Sequence, residues 1–468
     1  MGVEPSRLTA TDARQLRTAG ALARLRADPP RMRALRAMWL ALWSSRLAVW
    51  IAGIAAGVTL SSHAGAGAVD PRGLTRGLGR VGEVLAGPVA RWDAGWFLLI
   101  ARDGYQPQLG AHTEARLAFY PLYPLLTRTV GLVVPLVIAG VIVSVCAFAA
   151  ALYGIHRLAS LELTRGDRMT RDQARRIADF AVLLVAFSPM AVFFSADYSE
   201  SLFMALSVAL FWCARHGRWR WVGLIGALAS ATRAPGVVLL LPALVIYLYG
   251  PREDRPPDRP RRGNPGAGRR VAGSRAMVLR EGLRPVAVRE TVWPRYRVRT
   301  DVLWLALAPV GMLAFCAYVA LAGGSAFEPL KVEHLVWHRH LTDPLSPLWY
   351  GLTHAFREVR QLPSTHRLHL RSFYFVAAGM IATVGVLRRL PLAYGLYALA
   401  AIAMPLFYPA NAEPLESMPR YLLVVFPLFI WLAVWLERHP RLRLPALAIS
   451  ALLMMFFTAS FSTWRWAS

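Results

Sequence analysis

Lysine is almost absent from this chain of 468 residues: of 53 basic residues, only Lys331 is not an arginine. Acidic residues number 27, which leaves a net charge of +26. Cysteine is limited to Cys146, Cys213 and Cys316, each inside an apolar run, with no CxxC pair. That scarcity excludes a disulfide framework and a thiolate metal site. Charged residues of all kinds make up 17% of the chain against 56% hydrophobic, and the mean hydropathy is +0.40. A disordered tail, a small secreted domain and an ordinary soluble enzyme are excluded by those values. The positive balance alone would suit nucleic acid, but the basic residues sit between apolar runs, so no nucleic acid is expected as a partner. The chain also shows no internal repeat, and its arginine bias fits a GC-rich bacterial genome.

What is present in quantity is apolar sequence in pieces long enough to cross about 30 Å of hydrocarbon. Eleven spans are expected, at about 37–61, 128–153, 178–195, 200–214, 219–232, 235–249, 301–322, 372–387, 391–409, 421–436 and 443–461. The fifth and sixth are short, and Thr232-Arg233-Ala234-Pro235-Gly236 interrupts them as a hairpin reaching partway across would require. Arginine content fixes the parity. Segments 1–36, 154–177, 215–218, 250–300, 388–390 and 437–443 carry 35 of the 53 basic residues, 14 of them in 250–300. These segments are expected in the cytosol, with the amino terminus inside and the carboxyl terminus outside. The expected organisation is a basic tail over 1–36, six spans over 37–249, a disordered basic insert over 250–300 and five further spans over 301–468. The first span is read as a retained helix rather than a signal peptide, and the insert as lying against anionic lipid.

Two outer segments, 62–127 and 323–371, are too long to be mere connectors. The first contains Arg91-Trp92-Asp93-Ala94-Gly95-Trp96-Phe97-Leu98-Leu99-Ile100. Trp92, Trp96, Leu99 and Ile100 recur at helical spacing, which predicts an amphipathic helix at the membrane surface. Asp93 stands at its start, where a carboxylate acts either as a cap and dipole partner or as a chemical group. Arg233 lies at a helix break within an apolar run and needs a partner, either Glu200 or another carboxylate, or a lipid phosphate. Arg420 divides in the same way between snorkelling and phosphate binding, and Arg46 reads as a snorkelling or helix-pairing residue. His334, His338 and His340 lack the accompanying carboxylate that would argue for a metal site, so no metal and no cofactor is expected.

Trp92-Asp93, Phe97, Ile100-Ala101, Gly104-Tyr105 and Phe119-Tyr120-Pro121-Leu122-Tyr123-Pro124 together resemble the first outer loop of the phosphatidylinositol-glycan class V (PIG-V) mannosyltransferases and their bacterial relatives. Tyr198-Ser199-Glu200-Ser201-Leu202-Phe203, Thr232-Arg233-Ala234-Pro235-Gly236, Trp337-His338-Arg339 and Pro419-Arg420-Tyr421 follow in family order. The chain departs from the family at Ala234-Pro235 and in its long basic insert. The resemblance implies an all-α polytopic integral membrane protein of the glycosyltransferase C type, with about eleven transmembrane helices and outer-face amphipathic helices. It implies transfer of mannose from polyprenyl-phosphate mannose to a glycolipid or glycan acceptor, with inversion, at the outer face of a plasma membrane. Asp93 would be the general base. Trp92, Glu200, Arg233, Trp337, Arg339, Arg420 and Tyr421 would bind substrate. Two other classes fit the composition: a lipid-sugar transporter or flippase, which would favour an internal repeat, and a noncatalytic subunit that binds lipid-linked sugar.

Overall fold

In the computed structural model, the described residues are 29–60, 70, 72–75, 79–110, 114–165, 169–258, 294–360, 368–411 and 413–465. Most of the 250–300 insert and most of the 1–36 tail lie outside them. In chain order the helices are α1 Pro29–Thr59, α2 Gly79–Leu85, α3 Ala94–Asp103, α4 Leu122–Val130, α5 Leu136–Leu163, α6 Arg171–Ala186, α7 Glu200–Arg215, α8 Trp219–Ser230 and α9 Leu240–Tyr249. They continue with α10 Val310–Leu321, α11 Glu328–Leu335, α12 Leu345–Arg360, α13 Leu368–Arg389, α14 Leu392–Phe407, α15 Met418–Leu423, α16 Phe426–Glu437 and α17 Pro440–Ser462. Among the described residues there is no strand, only an isolated bridge between Arg339 and Ala410.

A helix occupies each of the eleven places where a span is expected. Four of them, α1, α5, α13 and α17, are by themselves long and apolar enough to cross a membrane, and a broken pair makes a fifth. The chain is a multi-pass, all-α membrane protein. In the broken pair, the 3-10 stretch Thr300–Leu307 meets α10 at a bend of 44°. Pro309 stands at the break, where its ring and missing N–H interrupt the helical ladder. α8 packs against this pair through glycines: a Cβ at Gly311 would collide with the carbonyl of Ala227, and one at Gly223 with that of Trp304. Such close backbone approach replaces the hydrophobic driving force that is missing between helices in lipid.

Several hydroxyls within the bundle are matched locally. Ser45 donates to the Ala41 carbonyl at 2.6 Å, Ser207 to Phe203 at 2.8 Å and Thr458 to Met454 at 2.7 Å, each returning a hydroxyl to its own helix. Arg46 is buried and pairs helices. Its guanidinium donates to the carbonyls of Ala191 (2.9 Å) and Ala186 (3.2 Å) and to Ser195 Oγ, so it satisfies the carboxyl-terminal end of α6.

The expected surface helix is corrected. α3 begins at Ala94, after Trp92, and Phe97, Leu98, Leu99, Ile100 and Ala101 are all buried. Helical spacing of apolar residues predicts a face but not what covers it, and here the covering is α4, α5 and the 3-10 turn Ala115–Ala118.

Contacts knit the helix ends into two groups. One group joins α1, α5 and α6 through Arg33, His156 and Asp179, and α5, α7 and α14 through Glu162, Arg215 and Tyr394. The other joins the starts of α3 and α7, the break after α8, and α15.

Candidate active site

Asp93 holds the amino-terminal position of α3, but its side chain makes no cap hydrogen bond. The side-chain cap is therefore not formed, which leaves the carboxylate as a dipole partner or a chemical group. Arg420, 327 residues away on α15, donates to Asp93 Oδ2 at 2.8 Å. Arg420 Nε lies 3.4 Å from Glu200 Oε1 at the start of α7, and Glu200 Oε1 is 2.5 Å from Arg233 Nη1. The result is an alternating row, Asp93–Arg420–Glu200–Arg233, that ties four chain segments together. Of the two acids in it, Glu200 is sealed at 2% side-chain exposure while Asp93 keeps 16%. Only Asp93 offers a free edge to a substrate hydroxyl.

A second row runs alongside. Arg339 Nε is 3.1 Å from Glu333 Oε2 on α11, and its Nη2 donates to Tyr421 Oη at 2.9 Å. Backbone pairing positions Arg339: His340 N donates to the Pro409 carbonyl, Thr342 N to Phe407 and Asn411 N to His338. Both rows meet at Tyr421. The guanidinium carbons of Arg233, Arg339 and Arg420 lie 5.7, 5.9 and 5.8 Å from its ring centre. Three cations thus converge around one aromatic ring, each within range of cation–π attraction.

The backbone leading to these side chains is unusual. Among the described residues, the non-glycine positions with positive φ are Trp92 (57°), His338 (50°), Ser417 (63°) and Trp464 (59°). The first two directly precede Asp93 and Arg339, and Ser417 opens the turn into Arg420. Trp464 packs against Trp92 with centroids 5.8 Å apart and the rings tilted by 53°. Each such conformation costs about 1–3 kcal/mol and persists where the surroundings over-determine it. Around Trp92 the determinant is Tyr198, whose hydroxyl accepts from Asp93 N at 2.9 Å and donates to the Arg91 carbonyl at 3.2 Å. Trp337 stands edge-on to Phe119 at 5.7 Å, and Phe119 stacks with Trp96 at 6.4 Å, so an aromatic wall borders the charged cluster.

All eight expected site residues are brought together here or line its edge. Arg233 does pair with Glu200, the alternative left open by the sequence. The histidine trio does not form a unit: His334 Nδ1 contacts the Arg339 carbonyl at 2.9 Å, and His338 serves the turn. Two acids were missed. Glu333 partners Arg339. Asp197 is fully buried in the connector between α6 and α7, and neither carboxylate oxygen has a hydrogen-bond partner among the described residues. Burial pushes its carboxyl well above the usual carboxylate range. Its place three residues before Glu200 was the available signal, since an ionisable group at the edge of a span is costly unless used.

The fold and this cluster define a helical membrane protein with an arginine-rich, acid-bearing cluster beside an aromatic wall. Residues 78–244 match the family model described as Mannosyltransferase (PIG-V). Over 173 residues the chain is 33% identical to the GPI alpha-1,6-mannosyltransferase 2 of Mus musculus, covering 34% of this chain and 31% of that one. It is 31% identical over 172 residues to the GPI mannosyltransferase 2 of Drosophila melanogaster, covering 35% and 36%. The chain spans about a third of the length of these curated relatives. The resemblance to PIG-V mannosyltransferases holds over the stretch that carries Asp93, Glu200 and Arg233, whereas Arg339 and Arg420 lie beyond it. An oligosaccharyltransferase structure from Archaeoglobus fulgidus overlaps 80% of this chain and 48% of its own at a TM-score of 0.36 and 13% identity.

Proposed function

We propose that this protein is a membrane mannosyltransferase of the glycosyltransferase C type. It moves mannose from polyprenyl-phosphate mannose to a glycolipid or glycan acceptor at the outer face of a plasma membrane, with inversion at the anomeric carbon. The observation that carries this reading is Asp93: a carboxylate at a helix start that makes no cap hydrogen bond, stands at the open edge of the cluster and is held by one of three convergent arginines.

In the reaction the acceptor oxygen bonds to the anomeric carbon while the bond from that carbon to the phosphate oxygen breaks. The acceptor proton passes to Asp93, and the polyprenyl phosphate leaves with one more negative charge. A phosphate is a good leaving group, so no general acid is required. Cations must hold it, and Arg420, Arg339 and Arg233 supply forked donors that match phosphate oxygens. Donor phosphate and Asp93 compete for Arg420. Arrival of the donor draws the guanidinium toward the phosphate and frees Asp93 Oδ2 for the acceptor hydroxyl.

The test is sugar transfer by purified protein, with Asp93→Asn compared with Asp103→Asn. Asp103 pairs with Arg72 at 2.5 Å and with Arg102, apart from the cluster. Asp93→Asn is expected to lose about 100- to 10,000-fold in rate, while Asp103→Asn keeps appreciable activity. Near-normal turnover by the Asp93 variant would remove the base assignment.

A further inference from the structure

Two side chains far apart in the sequence close on one residue. Trp92 holds φ at 57° directly before Asp93, so the direction in which Asp93 leaves the chain depends on a conformation that only its surroundings can keep. Tyr198, in the connector ahead of α7, spans that residue. Its hydroxyl accepts from Asp93 N at 2.9 Å and donates to the Arg91 carbonyl at 3.2 Å, the peptide groups on either side of Trp92. The buried Tyr198 ring also lies 5.6 Å from the guanidinium carbon of Arg420, the cation that holds Asp93 Oδ2. Ser144 on α5 fixes the connector by donating to the Ala196 carbonyl at 2.6 Å. From the end of α17, Trp464 packs against the Trp92 ring at 5.8 Å. Arg91 Nε donates to the Ser462 carbonyl at 3.2 Å, and the Phe461 ring stands 5.9 Å from that of Tyr198. The end of α17 therefore touches Arg91, Trp92 and Tyr198 together.

We propose that Tyr198 and Trp464 are positioning residues that clamp Trp92, one by its backbone and one by its ring, and so aim the Asp93 carboxylate at the acceptor hydroxyl. The proposal rests on Asp93 as the base, and both residues act through it rather than on the reacting atoms. Asp93 makes no side-chain cap, so its direction comes from the backbone behind it and from Arg420 in front. Once the donor phosphate competes for Arg420, the clamp on Trp92 is what keeps the carboxylate in place. A base displaced by a fraction of an ångström loses rate steeply, because the reacting atoms must already be aligned. Packing alone would be served by phenylalanine at position 198, as it is at the neighbouring Phe193. The Tyr198 hydroxyl instead makes both of its hydrogen bonds to the turn at Trp92. Tyr123 offers the contrast. It is equally buried, and its hydroxyl donates to the Gly140 carbonyl at 3.0 Å, within the helix packing.

The test is kcat for sugar transfer, with the affinity for polyprenyl-phosphate mannose measured separately, on the purified full chain. Tyr198→Phe, which removes only the hydroxyl, is expected to lower kcat about tenfold while donor affinity stays at the wild-type value. Trp464→Leu is expected to do the same, and it decides the matter if the first variant does not fold. Trp464→Phe, which keeps a ring against Trp92, should recover most of that loss. Tyr123→Phe is the control for losing a buried hydroxyl, and it should melt lower with kcat per folded molecule unchanged. Wild-type kcat in either folded clamp variant overturns the proposal. So does a donor affinity that falls in step with kcat, or an equal kcat loss in Tyr123→Phe, since each would mean a general loosening of the bundle. Asp93→Asn, measured beside them, separates two failures. If it loses transfer while the clamp variants turn over normally, the clamp alone is wrong; if it turns over normally, the base assignment falls and the clamp falls with it.

Discussion

Each end of this bundle buries arginine among acids, but the two clusters are built differently. At the end that carries Arg215, its Nε meets Glu162 and its Nη2 donates to Glu253 at 2.9 Å, while the Tyr394 hydroxyl donates to Glu162 at 2.9 Å. Arg215 and Glu162 are 0% and 1% exposed. One cation stands among two acids and a hydroxyl, sealed between α5, α7 and α14. The positive-φ turns nearby are taken by Gly217 and Gly250, which adopt them without a steric cost. At the Asp93 end, three cations face three acids around Tyr421, one acid keeps an open edge, and the positive-φ positions fall on tryptophan, histidine and serine. Where the chain only has to hold helices together, it uses glycine and closes the cluster. Where side chains must be aimed, it accepts strain and leaves the cluster open.

The sharpest way to break this contrast is a crossed pair of variants. Asp93→Asn should abolish most transfer, with about 3–5 kcal/mol added to the barrier. Its effect on melting should be small, since Arg420 still has Glu200 nearby and Asn keeps a hydrogen-bond acceptor. Glu162→Gln should do the reverse. Removing one partner of a sealed pair leaves Arg215 undercompensated and costs about 3–5 kcal/mol of stability, while the rate per folded molecule stays near wild type. Thermal melting and turnover on the same preparations measure both. If Glu162→Gln melts normally but loses transfer, the two ends are not different in kind.

A smaller effect separates charge from geometry within the open cluster. Arg420→Lys keeps the positive charge and a partner for Asp93, but one ammonium cannot replace a fork that spans Asp93 and Glu200 and presents paired donors to phosphate. Binding of polyprenyl-phosphate mannose should weaken about tenfold, or about 1.4 kcal/mol, with folding retained. Unchanged donor affinity would place Arg420 with Arg215, as a cation that serves only the fold.

Much of this was legible in the sequence because the membrane imposes length. Runs near 20 residues had to be helices, and the Thr232–Gly236 interruption had to be a break because Pro235 cannot continue a ladder. The partners of Arg233 were legible for the same reason: a charge in an apolar run has few places to go. Long-range pairing was not. Nothing local joins Asp93 to Arg420, and the ordered motifs suggested a common site without saying which side chains touch. Backbone strain was equally hidden, since no pattern of residue types announces a tryptophan at φ 57°. The burial of α3 was misread because an apolar face looks the same whether lipid or protein covers it.

Asp197 gives the smallest and most selective test, because both of its carboxylate oxygens are buried without a hydrogen-bond partner among the described residues. Its carboxylate is packed against Gly140, where any Cβ would collide with it, and beside Tyr123, whose hydroxyl donates to the Gly140 carbonyl at 3.0 Å. Burial raises its pKa above the unfolded value, so the folded chain binds this proton more tightly than the unfolded one. Stability from this group is then fully present below the ordinary aspartate pKa and is lost as pH rises through the raised value. Asp197→Asn keeps the shape and cannot titrate. At pH 7.5 the variant should therefore be more stable than the parent by about 1 kcal/mol, a shift of a few degrees in melting. As pH falls toward the ordinary aspartate range, the parent should gain stability relative to the variant and the gap should close. Parallel melting curves across that range would mean that the carboxylate is ionised in the fold and compensated, which would place Asp197 with the closed cluster at the other end.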